Sequence, residues 1–235
     1  MTWKDLGNPH PRPEPVPYTP LEWPEGKALV FEDDVPAMER PETLLAFSAS
    51  AASFASLVKS RRTRYGFGAL GLATLGTLFT FTNKVLLQGN DQLGFALSQR
   101  PAPSAGAIHP IHVITHLPGS PRLHRYDPFA HLLRELSCDV DIFQLRDAMN
   151  AVMDGHDGVL LMFVAEPGRT FAKYAQASSL VWRDAGILQG YFSMAAEALG
   201  LNFAPLGVTG EPWAGQLIQQ TGLAGVGVAF VGTRP

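Results

Sequence analysis

The chain has 235 residues, 46 % of them hydrophobic, enough to bury a full core in one domain of the larger kind. Eighteen basic against 21 acidic residues give a net charge of −3, so there is no cationic surplus to neutralise a phosphate polymer, and nucleic acid is not an expected partner. The single cysteine, Cys138, cannot close an internal disulfide, no Cys/His clusters stand at zinc spacing, and no apolar run approaches the roughly 20 residues that span a bilayer.

These absences predict no metal and no membrane partner. With no basic segment leading into an apolar one at the N-terminus, the chain reads as cytoplasmic. Residues 1–42 read as a Pro-rich arm and 43–235 as one folded domain. Prolines spaced through 7–25 oppose both helix and central strand. The apolar Trp3, Tyr18, Leu21 and Trp23 favour docking of the arm over disorder.

From Pro41 to Ser60, apolar residues at Leu44, Leu45, Phe47, Ala51, Phe54, Leu57 and Val58 follow a helical period. A second, short amphipathic helix begins at Leu72, and 83–100 reads as a loop. Strands follow at Ile111–Leu117 and Leu123–Tyr126, and Phe129–Leu136 closes a hairpin-like pair. Asp141 is placed to N-cap a helix over Ile142–Met153. The continuous apolar run Gly158–Ala165 predicts a central strand covered on both faces. Ser178–Leu201 carries apolar residues over most of the helical circumference, so it is expected to be buried, either at the heart of the domain or in a subunit interface. A short strand at Leu201–Ala204, a loop at Pro205–Gly210, a short helix around Pro212–Gln220 and a last strand at Gly225–Val231 complete the chain.

Two stretches carry candidate chemistry. Arg61, Arg62, Thr63 and Arg64 place three guanidinium groups and a hydroxyl at a helix end. That set suits a phosphate, and it equally suits a solvated cap complementing the helix dipole. Pro103, Ser104, Ala105, Gly106 and Ala107 form a turn of small residues that exposes main-chain N–H groups to a flat or phosphorylated ligand, although such turns are also ordinary connections. His112 and His116, four apart in a predicted strand, share a face and read as strand-edge polar residues rather than metal ligands.

The order of these motifs carries more than any one of them. It runs Arg-Arg-Thr, then Pro-Ser-Ala-Gly-Ala-Ile-His-Pro, then the Lys173-Tyr174 pair, Arg-Asp-Ala-Gly at 183–186, Ala-Ala-Glu-Ala-Leu-Gly-Leu at 195–201, and Pro-Leu-Gly. Over about residues 55–235 this order resembles the nitroreductase superfamily, in particular its SagB-type branch of FMN-dependent dehydrogenases that oxidise thiazolines and oxazolines in modified peptides. The resemblance implies an α+β fold with a mixed, mostly antiparallel sheet flanked by helices, a homodimer, and FMN at the subunit interface. It implies that Arg61, Arg62 and Thr63 hold the FMN phosphate with Arg234 as a further contact, and that Pro103, Ser104, Ala105 and Gly106, reaching in from the partner chain, line the flavin ring. Leu206, Gly207 and Val208 would face its N5 edge with main-chain N–H groups.

Azoline dehydrogenation needs a base at carbon and a group that steadies the heterocycle. The resemblance assigns these roles to Lys173 and Tyr174, with a modified peptide or small heterocycle as substrate. Two departures stand out. Tyr65 replaces the pattern's usual arginine, and no basic segment follows Pro235. The first leaves one phosphate contact open, the second leans toward the SagB-type branch, and both motivate the alternative of a flavin-free scaffold in a biosynthetic complex; an NAD(P)H-dependent nitro or quinone reductase is the other alternative.

Overall fold

The computed structural model describes residues 8–31 and 54–235. Trp3 and residues 41–53 of the first predicted helix lie outside the described residues. In chain order the elements are β1 (His10–Pro11), β2 (Glu25–Val30), α1 (Phe54–Ser60), α2 (Leu72–Thr82), β3 (Leu87–Gln88), β4 (Ser98–Gln99), β5 (Ile111–His116), β6 (Leu123–Asp127) and β7 (Leu132–Leu136). They continue with α3 (Ile142–Val152), β8 (Val159–Ala165), α4 (Pro167–Lys173), β9 (Tyr174–Ala175), α5 (Ser178–Ala198), β10 (Leu201–Leu206) and β11 (Ala224–Thr233).

Seven strands form one sheet in the order β10-β11-β8-β5-β6-β7-β2. Every pair among them is antiparallel, in keeping with the mostly antiparallel sheet that was expected. The predicted central strand is central: all seven residues of β8 are buried, because β11 and β5 flank it and apolar side chains cover both faces. On one face Phe163, Val231 and Phe203 pack against Phe79 of α2 and Phe192 of α5. On the other, Leu160, Met162 and Phe230 pack against Leu145 and Met149 of α3. Asp141 caps α3 as expected, its Oδ1 accepting from the Gln144 N–H at 3.0 Å.

Several sequence expectations are corrected. Pro205 and Leu206 belong to β10 rather than to the following loop, since the strand pairs through to Leu206 opposite Val228. β11 runs two residues past Val231 and carries a bulge between Gly225 and Gly227. His112 and His116 are not strand-edge residues: β5 lies between β8 and β6, so both are buried. Helix α5 buries only one side, through Val181, Ala185, Leu188, Phe192 and Ala196, and exposes Trp182, Ile187 and Tyr191 on the other.

The Pro-rich stretch docks on its own chain. Its two residues of β1 pair with β9, Tyr18 packs edge-on to Phe95, and Trp23 lies against His112 with ring centroids 4.9 Å apart. The chain then enters the sheet as its edge strand β2, where the prolines have ended.

The fully buried Glu166, between β8 and α4, fixes this path. Its carboxylate accepts from the Leu21 N–H at 2.6 Å and from Arg169 Nε at 2.6 Å, and it meets His112 Nε2 at 2.7 Å. Burial pushes the carboxyl up, but the His112 bond and the Arg169 charge outweigh it and hold Glu166 well below the usual carboxylate range. Burial likewise holds His112 below the ordinary imidazole range, against the pull of Glu166, and does the same to His109, His116 and His124.

In the unfolded chain these histidines take up protons near ~6.5, and in the folded chain only at lower pH. The unfolded state therefore binds more protons in between, and stability falls as pH drops through that window. The urea midpoint should be lower at pH 5.5 than at pH 7; an equal midpoint at the two would contradict the buried, neutral assignment.

Candidate functional site

The small-residue turn and the Lys-Tyr pair, 66 positions apart in sequence from Ala107 to Lys173, meet at Gly106. Gly106 has φ +65°, a conformation that favours glycine. A Cβ built there would stand 2.9 Å from Tyr174 Oη and 3.0 Å from Lys173 Nζ, so the tips of both side chains lie directly against this glycine. Lys173 ends α4 and Tyr174 opens β9; both are half-buried, with Nζ 5.6 Å from the centroid of the Tyr174 ring.

Asp184 of α5 holds the turn from behind. Its carboxylate accepts from Ser104 Oγ at 2.5 Å and from the Ala105 N–H at 3.2 Å, while Ser104 Oγ also accepts from the His109 N–H at 2.9 Å. Burial pushes the Asp184 carboxyl up, and its two donors only partly offset this. Ser104 Oγ and the Ala105 N–H are thus engaged within the chain. The surface that Pro103–Gly106 offers a ligand is the small-residue backbone itself, with Pro103 beside Asn83 and Leu188 in a narrow cleft.

The arginine cluster divides its roles. Arg62 turns back to cap α1, donating to the carbonyls of Lys59 and Arg61 at 2.8 Å each, which is the dipole-complementing use of a basic residue at a helix end. Arg64 pairs with Glu197 of α5 and donates to the Ser60 carbonyl at 3.0 Å. Arg234 reaches the same Glu197 at 3.2 Å. Arg61 is half-buried, and Thr63 and Tyr65 are exposed. Leu206 is buried in the core, Val208 packs beside it, and Gly207 is exposed with open space where a Cβ would stand.

Sheet register places these groups relative to one another. Ile111 pairs with Ala165, Ala165 with Ala224, and Leu206 with Val228. The turn at 103–107, the Lys-Tyr pair and Gly207 therefore leave the same end of the sheet. The ends of β10 and β5 are three strand spacings apart, about 14 Å. Arg234 lies six residues beyond Val228, roughly 20 Å towards the other end, where Gly68 bridges Thr233.

The donor types suit a phosphate-bearing flavin. There are guanidinium groups at one end, an open glycine backbone at the other, and a glycine cradle beside a lysine and a tyrosine. Asp184 and Glu197 carry this arrangement with Arg64, and neither acid was given a role from sequence. An aspartate inside a largely apolar helix and a glutamate opposite two arginines are the signals that could have found them.

No protein-family model and no curated protein matches the sequence. Solved structures do match in fold. A protein of Ralstonia eutropha JMP134 classed as a nitroreductase superposes with TM-score 0.58 at 17 % identity, over 94 % of this chain and 98 % of that one. The fold is that of the nitroreductases. A second protein so classed, from Anabaena variabilis ATCC 29413, gives TM-score 0.55 at 19 % identity over 68 % of this chain, which spans only 34 % of that longer protein. A chain of the E. coli microcin synthetase McbBCD complex, solved with truncated pro-MccB17 bound, gives TM-score 0.55 at 17 % identity over 90 % of this chain and 79 % of that one. No described helix of this nitroreductase-fold chain is long and apolar enough to cross a membrane.

Ser104→Ala removes the donor to Asp184 and the acceptor of the His109 N–H, leaving two buried groups short of a partner. It should cost roughly 1–3 kcal/mol in urea unfolding at pH 7; a change within about 0.5 kcal/mol would mean that the turn is held by something else.

Proposed function

We propose that this chain is an FMN-dependent oxidoreductase that dehydrogenates an azoline ring, in a modified peptide or a related small heterocycle. The observation that carries the reading is the cradle at Gly106, where a bare backbone, Lys173 Nζ and Tyr174 Oη converge. The nitroreductase fold supports it, and so does the fold neighbour from the microcin synthetase complex, which was solved with a peptide bound.

In this reading the flavin, when bound, accepts the hydride that leaves the azoline carbon. Lys173 Nζ takes the proton from the adjacent position, and Tyr174 Oη donates a hydrogen bond that steadies the heterocycle. The small turn at Pro103–Gly106 brings backbone rather than side chains to the ring, and Asp184 keeps that backbone in place. Arg61 and Thr63 would meet the phosphate, with Arg62 and Arg234 at the rim. The half-buried Glu197 holds Arg64 and Arg234 side by side.

β10 and β5, from whose ends Gly207 and the turn at 103–107 depart, are separated by β11 and β8, so this reading needs a ring that both turns can reach. A ring between two copies meets this requirement. The outer face of α5 supports such a dimer: Trp182, Ile187 and Tyr191 are exposed apolar groups, and Gly186 and Gly190 have open space beside them that would admit another helix.

A flavin-free scaffold is the second reading. What favours it is Glu197, which already neutralises Arg64 and Arg234, together with Tyr65 in an arginine's place.

The purified protein should be yellow, with absorbance near about 450 nm, the range of an oxidised flavin. Lys173→Ala should keep the colour and lose about 100-fold or more in thiazoline oxidation, with Tyr174→Phe losing less. Colourless protein that FMN cannot reconstitute would favour the scaffold. Turnover of a nitroaromatic with NAD(P)H, untouched by Lys173→Ala, would favour the general reductase. Trp182→Glu should convert a dimer to a monomer in light scattering; an unchanged mass would move the interface elsewhere.

A further inference from the structure

Lys173 and Tyr174 have little local support: the Tyr174 N–H closes the last turn of α4 on the Thr170 carbonyl, and its ring packs against the Ala172 cluster. α4 has seven residues, well short of the length at which an isolated helix is stable. β9 has two residues, and Gln176 follows with a strained φ of +51°. Among the described residues, one element pairs with this stretch through main-chain hydrogen bonds along its length, the strap of residues 10–21.

The contacts run in register. His10 and Pro11 stand opposite Ala175 and Tyr174. The Arg12 N–H donates to the Lys173 carbonyl at 3.0 Å, and Arg12 Nε donates to the Phe171 carbonyl at 2.8 Å. The Val16 N–H donates to the Ala172 carbonyl at 2.9 Å. The carbonyls of residues 171, 172 and 173 are thus each met by the strap at the end of α4, where helix carbonyls lack partners within the helix.

Tyr18 then covers the start of the same helix. Its ring lies over Gly168 so closely that a Cβ there would collide with it, and it joins Leu93, Phe95, Ile108 and Ala172 in a small apolar cluster beneath α4. Leu21 closes the path on Glu166, the residue just before α4. The strap is therefore anchored at both ends of α4 and crosses its whole length.

We infer that the N-terminal strap is part of the active-site machinery, with Arg12 as a positioning residue. By binding the last carbonyls of α4 it fixes the main chain at Lys173 and Tyr174, and so sets where Nζ and Oη stand against Gly106. This inference rests on the reading of Lys173 and Tyr174 as the reacting pair. It adds that a segment outside the core of the domain decides their geometry. Arg12 is half-buried and touches neither Lys173 Nζ nor the Gly106 turn in the hydrogen bonds it makes, so it acts through the backbone alone.

The test uses full-length protein with its flavin. Arg12→Ala removes the Phe171 bond, and Val16→Pro removes the Ala172 bond. In both variants amide exchange over 170–176 should rise about tenfold, with β8 at 159–165 unchanged, as expected for local opening on losing one such bond. Thiazoline oxidation should fall about tenfold in kcat, with KM kept within about twofold, because orientation rather than binding is lost. Arg12→Lys, which retains a donor, should recover part of the rate.

Unchanged exchange over 170–176 would overturn the inference. So would a rise shared equally by β8, or loosened exchange with full kcat. Lys173→Met in the same assay separates the two claims. Full activity there removes the reacting pair and sinks the proposed chemistry, while the exchange measurement still decides whether the strap holds α4.

Discussion

A carboxylate with no solvent exposure is costly unless every lone pair finds a partner, and the Glu166 carboxylate finds them from three directions. The Leu21 N–H comes from the strap, the His112 ring from β5, and Arg169 from the next turn of α4. The cost of leaving any of these unmade explains why the strap, the sheet and the short helix form one unit. Arg169 in turn lies over the Phe95 ring, 4.9 Å from its centroid, so the charge network merges with the apolar cluster under α4. Without this junction a Pro-rich segment, unable to form helix or ladder by itself, would have no defined path.

A second buried acid serves the other half of the cradle. Asp184 stands on the inward face of α5 and reaches the turn at Ser104 and Ala105, so the central helix and the turn at 103–107 are tied together. The two carboxylates act on opposite sides of the same small space: Glu166 through the strap and α4 on Lys173 and Tyr174, Asp184 through the turn on Gly106. A third, Glu197, gathers Arg64 and Arg234 at the far end of β11. Two buried acids and the half-buried Glu197 therefore organise the polar groups at both ends of the sheet, while apolar packing accounts for the sheet itself.

Much of the frame was legible in the sequence. The run Val159–Ala165 has no polar residue, and a strand of that kind can only lie between two others with both faces covered. Asp141 ahead of an amphipathic run marks a helix start, and the structure begins α3 there. The course of Pro205 and Leu206 was misjudged, because proline reads locally as a breaker and cannot reveal that the edge strand β10 tolerates it. The histidines of β5 were misread for a related reason: their alternation suggests a solvated face, and only the placement of β6 and β8 on either side buries them.

The sequence by itself determined the element types and the order of motifs, since hydrophobic period, caps and turn residues act over a few positions. It also supplied the candidates, Lys173, Tyr174 and the small turn at 103–107, because residue type does not depend on where the chain folds. Only the tertiary structure decided that Gly106 lies against Lys173 and Tyr174, that Arg62 caps its own helix while Arg64 and Arg234 share Glu197, and that Arg12 and Val16 of the strap bind the end of α4. Apart from the Arg62 cap, which is local, these contacts join positions tens to more than a hundred residues apart, and no local rule of spacing specifies them. They follow from the antiparallel order of the sheet and from the need of each buried charge and each open backbone group for a partner.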